Sequence, residues 1–301
     1  MNFISPVQAL WISVFVTSVY PVAGKFAVGI ISPSLLMISA TAAAVLFFAP
    51  WLTKNKMWGR YFKKDVFFSF CMIGLFGTAL PYLCFFIALK YTTPANAAIL
   101  NQIEVVYSLI LTSIFLRERP SPKQLSGTTF VICGVLLILF ANNFSIMWRG
   151  DLIILCSVWM FQASHIFAKK LPKNLPPQFI SAGRAMFACV WSAPSALVLS
   201  NFDFDVLTFN FGWKLFLIVL YMGVVNYAAG NACWYKAIRN MDLSKATGVI
   251  LCYPAITYII SAFSGFDGFN FKQIAGLILA FFGAYLITNI IKRKKNEISI
   301  V

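Results

Sequence analysis

Of the 9 acidic residues in the chain, one stands where a charge is hardest to keep. Glu104 lies inside the apolar run 93–115, about eleven residues or roughly 16 Å along a helix. If that run crosses a bilayer, whose hydrocarbon core is about 30 Å thick, the carboxyl sits near the midplane. It is too deep to snorkel out. An ionisable group at such depth is costly, which makes it a candidate for function. Asn101, Glu104 and Ser108 fall at i, i+3 and i+7, on one face of a helix. A carboxylate with an amide and a hydroxyl beside it suits a cation, an amine or a proton. A protonated, structural Glu bonded to a neighbouring helix fits the same three residues.

Other polar side chains recur at helical spacing inside apolar runs. Tyr253, Thr257 and Ser261 form one stripe, beside Pro254, whose ring removes a backbone donor. Tyr227, Asn231 and Trp234 form another, near Gly223 and Gly230. Tyr82 and Thr78 flank Pro81, and Ser13, Thr17 and Tyr20 share a face. His165 has Gln162 and Trp159 on its face, and Arg184 lies about six residues into its run. The candidate set for substrate binding is Glu104, Asn101, Tyr253, Thr257, Asn231, Trp234, Tyr82, Arg184 and His165. Together these residues describe a central cavity with aromatic walls and a few hydrogen-bonding groups. Each stripe also fits plain helix packing, and His165 and Arg184 could extend to the interface. Glu118, between Arg117 and Arg119, reads as an interfacial ion pair.

These side chains need elements that cross a membrane, and the composition supplies them. The 301 residues are 60% hydrophobic and 11% charged, with a mean hydropathy of +0.81. A soluble chain is about 25% charged, so an ordinary cytosolic enzyme, a disordered chain and a disulfide scaffold are excluded. Apolar runs near 5–24, 31–51, 66–89, 93–115, 124–142, 151–168, 178–199, 213–235, 244–263 and 272–291 predict ten transmembrane helices. The runs are too long, and alternate too little, for barrel strands. The first is read as a retained span, since no basic residue precedes it. The fold class is an all-α polytopic membrane protein. The 7 cysteines are scattered through apolar runs, and there is 1 histidine, so neither disulfides nor a metal site are expected. No phosphate-binding loop appears and no cofactor is expected.

The net charge of +15 reads as topology. With the N-terminus inside, 18 Lys and Arg fall in inside segments and 5 in outside ones, and Arg184 lies within a span. This positive-inside count places both termini in the cytoplasm. The localisation expected is multi-pass in the cell (inner or plasma) membrane. The partners expected are a small-molecule substrate, the lipid bilayer and, as one option for coupling, protons. Nucleic acid is not expected.

The halves of the chain resemble each other at an offset of 149. Lys123-Gln124-x-x-Gly127 followed by Gly134 recurs as Lys272-Gln273-x-x-Gly276 followed by Gly283, and Glu118 pairs with Asp267. The same offset puts Tyr253 opposite Glu104. Five spans per half is an odd number, so the second copy enters the membrane upside down. Inverted repeats are characteristic of secondary transporters, with the substrate near the midplane between the repeats. The repeats are read as 1–142 and 143–301, the second with a short basic tail.

Phe115-Leu116-Arg117-Glu118-Arg119 with Lys123-Gln124-x-x-Gly127 and Gly134 resembles the fourth-to-fifth span junction of EamA-type transporters, in the drug/metabolite transporter superfamily. Gly150-Asp151, Trp159 and Lys169-Lys170-Leu171 resemble the opening of that family's second repeat, and Pro254 in the ninth span also fits. The chain departs from the pattern at Gly265-Phe266-Asp267-Gly268, where the family keeps a Gly-Glu pair. It also carries Ser39 and Thr41 where many members have an Arg. The resemblance implies two inverted five-helix repeats and alternating-access transport of amino acids or related metabolites, more often exported.

The expected function is therefore a secondary transporter of a small organic metabolite, not an enzyme. Glu104 and Arg184 would suit the amine and carboxylate of a zwitterion. Aromatic walls leave a nucleotide-derived substrate such as S-adenosylmethionine as the alternative. A channel or lipid-handling protein is the rival of a different class.

Overall fold

The lengths of the apolar runs decide the architecture. The computed structural model describes residues 4–104, 106–107, 110–111, 114, 121–141, 147–172, 174–199, 212–240, 249–250, 252–268 and 270–298. Among them no strand occurs. In chain order the helices are α1 (Pro6–Val28), α2 (Pro33–Lys54) and α3 (Lys64–Leu89). Next come α4 (Pro94–Leu100, continued by a 3-10 turn Asn101–Ile103), α5 (Pro122–Ala141) and α6 (Met147–Ala168). The rest are α7 (Pro177–Leu199), α8 (Trp213–Ile238), α9 (Tyr253–Phe263) and α10 (Phe271–Ile298). Each of the ten apolar runs contains one of these helices. α1, α2, α3, α6 and α8 are individually long and apolar enough to cross a bilayer. The sequence starts the ninth span near 244; residues 241–248 lie outside the described residues, as do Ser108 and the stretch 115–120 with Glu118.

Local sequence sets the helix starts. Ser5-Pro6, Ser32-Pro33 and Thr93-Pro94 open α1, α2 and α4. In each, the hydroxyl accepts a backbone N–H from the first turn, and proline fills a position whose N–H would be unpaired anyway. At α1 the cap is reciprocal: Gln8 N donates to Ser5 Oγ at 3.2 Å and Ser5 N donates to Gln8 Oε1 at 2.8 Å.

Large apolar side chains cover the outside. Leu46 is 71% exposed, Trp213 70% and Phe263 87%. Water would penalise such a surface; hydrocarbon does not, because every helix satisfies its own backbone. Inside, Tyr61 stacks on Phe179 with ring centroids 4.0 Å apart and donates to the Phe179 carbonyl at 2.8 Å, tying the α2–α3 connection to α7.

The glycines of the internal repeat meet in space. α5 packs along α10. A Cβ on Gly134 would come within 2.6 Å of Gly276 O and 2.8 Å of Ala280 N. The offset of 149 converts this contact into Gly283 against Gly127 and Val131, and that contact is present: a Cβ on Gly283 would collide with Gly127 O and reach Val131 N at 2.7 Å. Gly74 and Gly223, also 149 apart, likewise press α3 on α7 and α8 on α2. Close backbone approach is how helices associate in lipid. Each of these two spans also winds as a π-helix at or just beyond that glycine, at Leu75–Ala79 in α3 and across Tyr221–Gly230, which includes Gly223, in α8.

Candidate functional site

Glu104 follows the 3-10 turn of α4. Its Oε1 accepts from Gln162 Nε2 at 2.7 Å, and His165 Nε2 stands 3.8 Å from the same oxygen. Gln162 and His165 are three apart on α6, so one helical face brings both to the carboxylate. The side chains of Glu104 and His165 are 35% and 29% exposed, so this pair is not sealed in the core. One turn on, the Tyr107 hydroxyl donates to Leu155 O at 2.9 Å and fixes the residues that follow α4 against α6.

Arg184, on α7, is buried at 6% exposure. Its Nε donates to Thr78 Oγ1 at 2.6 Å and its Nη2 donates to the Gly77 carbonyl, both in the π-helical part of α3. Arg184 also hydrogen-bonds the Tyr235 side chain and lies within electrostatic range of Glu104, Tyr82 and Tyr227. A cationic and a carboxylic side chain therefore share one region, each held by a neighbouring helix rather than directly by the other.

Aromatic rings wall this region. Tyr82 meets Tyr20, Phe161 and Tyr227 at centroid distances of 5.1, 5.2 and 5.2 Å. The hydroxyls of Tyr20 and Tyr227 are 2.6 Å apart. Such tilted and edge-on contacts are the favoured aromatic geometry. They draw α1, α3, α6 and α8 onto one point.

The candidates of the sequence divide into two groups. Glu104, His165, Tyr82 and Arg184 come together as described. Tyr253 joins them from α9: its hydroxyl reaches Ala98 O at 3.3 Å and lies beside Asn101, whose buried Oδ1 has no hydrogen-bond partner. The other three make different contacts. Thr257 Oγ1 donates to Ser18 O at 2.7 Å, tying α9 to α1. The Asn231 amide donates to Tyr227 O at 3.1 Å, one turn back in its own helix. Trp234 packs beside Leu10 and Ala237. Tyr235 and Gly77 were not legible as site neighbours in the sequence. The glycine spacing Gly74-x-x-Gly77 was the available signal.

A second polar cluster lies at the end of the bundle where α3 meets α4 and α9 meets α10. Asp267 Oδ2 accepts from Ser261 Oγ at 2.5 Å and Ala95 N at 3.3 Å; Gln273 Nε2 lies 3.4 Å from Oδ1 and donates to Asn96 Oδ1 at 2.7 Å. Lys25 Nζ donates to Leu89 O at 2.5 Å and Thr92 O at 2.9 Å. These bonds close α4 against the α9–α10 connection beneath an open depression of about 460 Å³ lined by Thr93, Met147, Asp267 and Phe271.

Ten helices among the described residues, a glycine-built repeat and a polar group drawn from both halves of the chain match features of known proteins. The model of the EamA-like transporter family matches residues 5–140 and again 148–289. The chain belongs to that family. Among its relatives is the "Uncharacterized transporter YyaM" of Bacillus subtilis, 24% identical over 96% of this chain and 95% of that one. Another is a "Probable amino-acid metabolite efflux pump" of Salmonella typhimurium, 25% identical over 67% of this chain and 70% of that one. A solved crystal structure superposes with a TM-score of 0.68 at 17% identity, covering 95% of this chain and 97% of the other. Its likeness is one of fold. This EamA-like chain is a multi-pass membrane transporter, not an enzyme. The polar group draws on both family matches: α1, α3 and α4 from the first, and α6 to α9 from the second.

Proposed function

We propose that the chain is a secondary transporter that moves an amino acid or a related small metabolite by alternating access, in the direction of export. The observation that carries this reading is the pairing of Glu104 and Arg184 in one aromatic-walled group. A zwitterion needs an acceptor for its ammonium and a donor for its carboxylate, and the two side chains provide them. Asn101, Tyr82, Tyr253 and His165 complete the lining. The Salmonella relative's printed description supports the substrate class. The reading includes five-helix repeats at 1–142 and 143–301, inverted across the membrane, with this site at their interface. The excess of basic residues in alternate connections sets both termini in the cytoplasm of a cell or plasma membrane.

The proposal extends to a proton as the coupling ion. Glu104 is the exchanging group, with its oxygen shared between Gln162 and His165. The aromatic walls also suit a nucleobase, so a nucleotide-derived substrate is the reading to exclude. Competition during counterflow in proteoliposomes separates the two. Amino acids that compete while nucleosides and S-adenosylmethionine do not support the proposal. The opposite pattern replaces it.

A further inference from the structure

Arg184 owes its orientation to a feature of α3 rather than of its own helix. Across Leu75–Ala79 the backbone winds as a π-helix. Widening the turn shifts hydrogen bonds from i→i−4 to i→i−5 and frees backbone acceptor capacity, and such turns recur at functional sites. Here that capacity is used: the Gly77 carbonyl takes Arg184 Nη2, while the Thr78 hydroxyl takes Nε. Thr78 is 1% exposed. A Cβ on Gly77 would stand 3.0 Å from Ser164 Oγ and 3.4 Å from Arg184 Nε, so an alanine would press on Ser164 and only touch the guanidinium.

A guanidinium has five N–H donors in a rigid plane. α3 engages two of its three nitrogens and the Tyr235 side chain takes a further bond, which fixes the plane and still leaves donors for another acceptor. An arginine free to rotate on its stem would lose about 2 kcal/mol of rotamer freedom on meeting a ligand. One already seated has met that cost in the folded protein. The rings of Tyr82, Tyr227 and Tyr235 lie within range of the charge, so a carboxylate beside it would meet aromatic walls rather than a second cation.

We propose that Gly77 and Thr78 are positioning residues that hold the Arg184 guanidinium ready for a substrate carboxylate. This rests on the zwitterion reading above. Thr78 has a hydroxyl that accepts from the arginine, and Thr78→Val removes it at nearly constant shape. Thr78→Ser keeps it.

The test is counterflow in proteoliposomes with a pool of radiolabelled neutral amino acids, and with the matching descarboxylated amines as competitors. Thr78→Val should raise KM for the amino acids by about tenfold, the value of one hydrogen bond to a charged group. Vmax should stay within about twofold, and inhibition by the amines should be unchanged. Thr78→Ser should behave as wild type. A wild-type KM in Thr78→Val, or equal weakening toward acids and amines, overturns the proposal. If wild type exchanges no amino acid, the zwitterion reading fails by itself. Positioning is then read from butanedione labelling of Arg184, followed by mass spectrometry on protein of unchanged melting temperature. Faster labelling in Thr78→Val than in wild type and Thr78→Ser upholds the positioning role. Equal rates overturn it.

Discussion

The repeat-related glycines yield a prediction whose size follows from the geometry. A Cβ on Gly134 would lie 2.6 Å from Gly276 O, where ordinary contact begins at 3.4 Å. The obstacle is backbone on both sides, so α5 and α10 must part. Overpacking of this kind costs about 1–3 kcal/mol. Replacing a helical glycine by alanine returns about 1 kcal/mol of propensity. Gly134→Ala should therefore lose about 1 kcal/mol net, and the bulkier Gly134→Val about 3 kcal/mol. For a chain of this size that lowers Tm by roughly 2 °C and 6 °C. Gly283→Ala and Gly283→Val should match them, because the offset of 149 exchanges the two contacts. Gly59→Ala is the control: nothing lies within 4 Å of its added Cβ, and Tm should hold within about 1 °C. Thermal unfolding of detergent-purified protein, followed by tryptophan fluorescence, reads all five. A valine variant that melts with wild type refutes the packing. One glycine that tolerates valine while its mate does not refutes the symmetry.

Three further outcomes are expected. Asp267→Ala leaves Ser261 Oγ and Ala95 N without this acceptor, while Gln273 keeps its bond to Asn96; it should cost about 2 kcal/mol, seen as a lowered Tm, and an unchanged Tm would dissolve this tie. Thr257→Val removes the bond from α9 to Ser18 O. It should lower stability by about 1 kcal/mol while KM stays within about twofold, whereas a large KM rise would return Thr257 to the binding site. Tyr61→Phe deletes the bond to Phe179 O but keeps the stacked ring; a loss of about 1 kcal/mol without change in counterflow is expected, and a loss of transport would link that corner to the site.

Span number and repeat were readable because both are written in residue order. Apolar length gives the helices, and Lys-Gln-x-x-Gly with a later Gly marks equivalent positions that turn out to be in contact. What joins residues across the bundle was not readable. Gln162 and Glu104 are 58 positions apart and Arg184 and Thr78 are 106 apart; no local pattern encodes such a meeting. The π-helical turns escaped for another reason. They change the hydrogen-bond register without changing how apolar the segment is, so hydropathy cannot register them. Thr257 shows the limit of stripe reasoning: it shares a face with Tyr253 as expected, yet its hydroxyl is taken by a backbone carbonyl of α1. Asp267 drew notice only as the repeat partner of Glu118 and as a departure from the family's Gly-Glu pair. In the fold it accepts from Ser261 and Gln273 near it in sequence and from Ala95, 172 positions away.

The most direct test of the central claim is amino-acid counterflow in proteoliposomes with wild type, Glu104→Gln and Arg184→Ala, each shown to be folded by its melt. A carrier whose site lies between Glu104 and Arg184 gives saturable exchange in wild type and a loss of at least about tenfold in each variant. Wild-type exchange in both variants, or no saturable exchange in folded wild type, contradicts it.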